Sequence, residues 1–78
     1  MSEARTHAVT EVERAVMELE LATGHLRTAA RHMREAEIPR YAAHLLAAQG
    51  HLLNAGRISE ALTILHASKS QPMPEDQP

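Results

Sequence analysis

Seventy-eight residues with ten acidic and eight basic side chains, a formal net charge of −2, no cysteine and one aromatic residue, Tyr41, limit the chain to one small domain and exclude disulfides, thiolate metal sites and cysteine nucleophiles. So balanced a charge lacks the field that draws a strongly basic protein to nucleic acid. No apolar run approaches the roughly 20 residues that cross a bilayer and no signal-peptide core is present, so a soluble, cytoplasmic protein is expected.

Taken in chain order, the predicted elements are all helical. From Ala4 to Ala22, Val9, Val12, Val16 and Leu19 recur at helical spacing, with Met17 and Leu21 widening the stripe. Thr10 followed by Glu13 fits a capping box, which allows the stable helix to start as late as Glu11. Thr23-Gly24-His25 is the first expected turn. Leu26, Ala29, Ala30 and Met33 then form the face of a second helix ending at Glu35-Ala36-Glu37. Pro39 suits the first turn of a third helix, where the N–H it lacks would be unpaired anyway.

That third helix, Tyr41 to Ala55, carries two apolar stripes: Tyr41, Leu45, Ala48, Leu52 and Ala55, and beside them Ala43, Leu46, Gly50 and Leu53. A helix apolar on two sides must be covered on two sides. Gly56 would close it in the left-handed conformation of a helix C-terminus. A fourth helix follows on Ile58, Ala61, Leu62 and Leu65. The expected domain is 4–68, made of hairpin one (about 4–36) and hairpin two (about 39–68), with a disordered tail over 69–78.

Residues 24–36 lie on residues 56–68 as an internal repeat of about 32 residues: Gly24 on Gly56, Leu26 on Ile58, Ala29 on Ala61, Met33 on Leu65. Such a period marks stacked helical hairpins. On these residues, with Leu52, the pattern resembles the tetratricopeptide family across most of residues 10–68. It departs from that family at Met17 and Gln49, where a small residue is expected, at Glu20 and Leu52, where an aromatic one is, and in a period two residues short. The resemblance implies an all-α array of two helix-turn-helix hairpins, four helices in all. It also implies a protein-interaction surface on the first and third helices, through Glu11, Arg14, Glu18 and Leu21 with Ala43, Leu46, Gly50 and Leu53. Leu46 and Leu53 have an equally good reading as core, since a third helix in such an array touches others on two sides.

A rival architecture rests on Val9, Val12, Val16, Leu19, Thr23, Leu26, Ala30 and Met33, which hold one heptad spacing straight through Gly24. On that reading the first 36 residues are one long helix, in a dimeric bundle. The four-helix version is preferred because the Gly-centred pattern occurs twice.

Six histidines raise a metal hypothesis. His25 and His32, and likewise His44 and His51, are seven apart, which separates them by about 10 Å along a helix, whereas chelation along one face needs i, i+4. A site would have to gather histidines from different helices, such as His44 or His51 with His66. The expectation is no metal, no cofactor, and histidines scattered on polar faces. Hydroxyls sit at helix starts, turns and the tail, and the Glu11/Glu13 and Glu18/Glu20 pairs point different ways on a helix, so no catalytic constellation is apparent. Arg27, Arg31 and Arg34 form one stripe, and residues 20–33 loosely resemble a helix-turn-helix with Gly24 in its turn, which makes nucleic acid the rival partner. Glu35 and Glu37 dilute that field, and a solvated face is the plainer reading. The preferred function is a non-enzymatic module that binds another protein or a second copy of itself, without a membrane.

Overall fold

A computed structural model describes residues 2–72 and shows two antiparallel helices, α1 (Glu3–Arg34) and α2 (Ile38–Lys69), each of 32 residues. The four-helix expectation is corrected: both glycines expected in turns, Gly24 and Gly56, lie inside continuous helix. A mid-helix glycine costs about 1 kcal/mol relative to alanine. Packing one long helix against another along its length outweighs that cost here. Nothing nearby supplies a competing turn, either. The Thr23 and Thr28 hydroxyls donate back to the carbonyls of Leu19 and Gly24, at 2.9 and 3.1 Å, instead of capping a new helix. The rival expectation of a long first helix running through Gly24 is therefore the closer one.

The helix starts earlier than the Thr10 capping box suggested. Ser2 is the N-cap, its hydroxyl accepting the Arg5 N–H at 3.2 Å, and Thr10 sits within α1. The reversal falls where Glu35-Ala36-Glu37 placed it. Ala36 has φ 58°, the Glu37 N–H donates to the His32 carbonyl at 2.8 Å and the Ala36 N–H to the Met33 carbonyl at 3.0 Å. This is the Schellman closure of a helix, with alanine in the left-handed position that glycine usually takes. Pro39 occupies the first turn of α2, as its missing N–H favours. The expected disordered tail, 69–78, begins at the last residue of α2, and residues 73–78 lie outside the described residues.

The seam between the helices is built from small residues. Ala22, Ala29 and Ala48 are 1–2% exposed, joined by Ala55 and Ile58 as the only buried hydrophobic residues described. In α1 the column is Ala8, Ala15, Ala22, Ala29, one per heptad; in α2 it is Tyr41, Ala48, Ala55, Leu62. A methyl in each heptad lets the backbones approach closely, so the pairing is intimate yet hides little area per residue. The 32-residue repeat does not map onto this seam: Ala29 is buried whereas its counterpart Ala61 is exposed.

Candidate functional site

On one side of the alanine columns runs a row of titratable side chains. In α1 it takes Glu18, His25 and His32, seven residues apart; at the same spacing follow Glu37, the N-cap of α2, and His44 and His51 within it. Because the helices are antiparallel, the two sets interleave. His51 Nδ1 lies 2.6 Å from Glu18 Oε2, and since an ionised carboxylate only accepts, the ring N–H donates. The His51 ring stacks on His25 with centroids 5.6 Å apart. His25 Nδ1 faces His44 Nδ1 at 3.0 Å, so one ring donates and the other accepts. His44 in turn stacks on His32 at 5.3 Å. At the far end His32 Nδ1 is 3.2 Å from Glu37 Oε2, close enough to pair as ions when the ring is protonated, yet not aligned as a hydrogen bond; this nitrogen is sealed from solvent without a hydrogen-bond partner.

Four imidazoles bounded by two carboxylates thus form one line along the hairpin, and the field acts on them unevenly. His44, at the centre, has its pKa held below the usual 6.5, first by desolvation, then by the neighbouring His25 and His32 and by Arg31. Glu18, at the end, is held below the usual 4.5, chiefly by the His51 hydrogen bond, with burial opposing and Asn54 and Arg14 assisting. The centre thus favours neutral imidazole and the end favours ionised carboxylate. His32, Glu35 and Glu37 also bring ligand atoms within 4.8 Å of one another at the turn.

The expectation of histidines scattered on polar faces is corrected, because four of the six meet in the seam. The signal was present in the sequence: a spacing of seven is too wide for chelation along one helix but is the coiled-coil period, and two such strings run antiparallel come into register. His66 does not join them. It lines a groove on the hairpin with Val12, Val16, Leu19, Ser59 and Leu62.

That groove belongs to the opposite side of the seam. Stepping round α1 by three or four residues, the columns follow in the order Glu18/His25/His32, Ala15/Ala22/Ala29, Leu19/Leu26/Met33, Val16/Thr23/Ala30. Around α2 the order is His44/His51/Ile58, then Ala48/Ala55/Leu62, then Leu45/Leu52/Ser59. Val9, Val12, Val16, Leu19, Leu26, Met33, Leu45 and Leu52 are all exposed by 40% or more. One face of the hairpin is apolar across both helices and the other carries the histidine row.

The residues expected to bind a partner do not share one face. Glu11 pairs with Arg14 at 3.0 Å and Glu18 with His51, on the histidine side with Leu21. Leu46, 74% exposed, and Leu53 continue the apolar face outward on α2, while Ala43 and the open Gly50 lie on its outer surface. Arg27, Arg31 and Arg34 are exposed along α1, but α1 is continuous through Gly24, so the helix-turn-helix geometry is absent there. No helix among the described residues is long and apolar enough to cross a membrane. No protein-family model matches the chain, and no curated protein or solved structure is detectably similar to it.

Proposed function

We propose that the protein is a non-enzymatic assembly module, a helical hairpin that pairs with a second copy of itself through the apolar face formed by Val12, Val16, Leu19 and Leu26 of α1 with Leu45 and Leu52 of α2. The observation that carries this reading is the mismatch between what the hairpin buries and what it leaves open. Its seam hides alanines, while no large side chain among the described residues is fully buried. Leu19, Leu26, Leu45 and Leu52 are each 41–46% exposed on one face, and a contiguous apolar patch of that kind marks an interaction surface. A second hairpin laid on the apolar face yields a four-helix bundle, with leucine and valine layers where the monomer has solvent.

Sedimentation equilibrium over a range of concentrations tests this directly: a dimer is expected, and a monomer throughout defeats the proposal. Leu19→Lys combined with Leu52→Lys should yield monomers. Leu21→Lys, on the histidine side, should leave the dimer intact; equal loss in both variants would mean that the wrong face has been chosen.

A further inference from the structure

Two ring nitrogens from different helices facing each other at 3.0 Å, in the middle of a row of four imidazoles, are an unusual thing to place in a hairpin seam. A zinc ion bound to two imidazoles at about 2.0–2.1 Å, at a tetrahedral angle, holds those nitrogens about 3.3 Å apart. His25 Nδ1 and His44 Nδ1 are thus within a few tenths of an ångström of a chelating separation, a change that small side-chain rotations supply. Each belongs to a helix whose backbone is fixed by the neighbouring alanine contacts, with Ala22 and Ala48 almost wholly buried. The two donors are therefore preset rather than gathered by the ion.

We propose that His25 and His44 form an interhelical site for a divalent transition-metal ion of the zinc type, bound through the two Nδ1 atoms. Imidazole donors select zinc, copper, nickel or cobalt over magnesium and calcium, which require oxygen ligands. On binding, the ring that donates through Nδ1 takes its other tautomer, with the proton on Nε2, so that both Nδ1 lone pairs face the metal and no proton is released. His51, held by Glu18, and His32, beside Glu37, stack on the outer faces of the pair. They wall the site, leaving the other coordination positions to water. The ion would staple α1 to α2 near mid-length, a role the sequence could not give to either helix alone.

The probe is Zn²⁺ added to the metal-free full chain at about pH 7.5, where imidazole is neutral. Thermal stability should rise with Zn²⁺ by mass action. The rise, measured against each variant's own metal-free midpoint, should vanish in His25→Ala and in His44→Ala and persist in His7→Ala and His66→Ala. Nitrogen NMR of the imidazoles in the unmodified protein is independent of whether those variants fold: the Nδ1 resonances of His25 and His44 should shift together at stoichiometric zinc. The proposal is overturned by no stoichiometric binding. It is overturned equally by binding that leaves those two nitrogens unshifted and instead requires His32, Glu35 and Glu37 at the turn.

Discussion

The two faces of the hairpin share a backbone and a heptad period and use them in opposite ways. On the histidine side the polar groups are paired within the chain: Glu18 with His51, His25 with His44, and Glu37 beside His32. On the apolar side Leu19, Leu26, Leu45 and Leu52 have no equivalent partners and remain more than 40% exposed. The chain closes its polar side by itself and leaves its apolar side open. In an isolated hairpin the reverse is expected, because burying apolar area is what offsets the entropy of ordering a chain. The difference teaches that the alanine seam sets the distance between the helices, while most of the large apolar side chains stand outside it.

Breaking that division should be most costly at the seam. Ala22→Leu or Ala48→Leu inserts a side chain where there is room for a methyl, and overpacking of this kind costs about 1–3 kcal/mol. Chemical denaturation should register it, and a variant as stable as the parent would mean that the seam is loose. The histidine side should respond to acid instead. His44 has a lowered pKa, so its contribution is complete above pH 6.5 and is lost as the pH falls from 6.5 through its folded value. Glu18 is also lowered, so its contribution is complete above pH 4.5 and disappears as the pH falls through its folded value. Both act in the same direction. In α1 and α2 the groups facing this row are Glu18, His25, His32, Glu37, His44 and His51, with Arg14, Arg31 and Arg40 at its margin. Melting temperature should therefore drop in two stages on acidification, the first absent in His44→Gln and the second in Glu18→Gln. The smallest effect is expected at the turn, away from both faces. Ala36→Gly relieves a left-handed alanine at φ 58° and should stabilise the hairpin by roughly 0.5–1 kcal/mol, measured by denaturation, with neither association nor pH response altered.

The all-helical class and the reversal were legible, because there local chemistry and tertiary packing agree. The turn at Glu35-Ala36-Glu37 and Pro39 opening the next helix follow from capping rules, and the heptad through Gly24 announces the long helix. Gly24 and Gly56 misled because glycine is only a weak breaker when a packed partner spans it, and the apparent repeat drew both into turns. The histidine row was missed for a different reason. A string of seven-residue spacings carries no chelating signal within one helix; its meaning lies between helices, in an antiparallel register fixed only when the turn is the single reversal. The apolar stripe of α1 was visible as a stripe, but which side of the seam it occupied depended on the alanine column that no large side chain marked.

The threonines turned back on their own helices bear on how that apolar face looks to a neighbour. Thr63, which lines the groove, donates its hydroxyl to the Ser59 carbonyl at 2.8 Å, and Thr23, between Val16 and Ala30 in the stripe, donates to Leu19. With the oxygen engaged by the backbone, what each side chain has left to offer is a methyl group. To anything that docks there, both threonines are close to valine in shape and in wettability, and the face is smoother and drier than a count of its hydroxyl-bearing residues suggests.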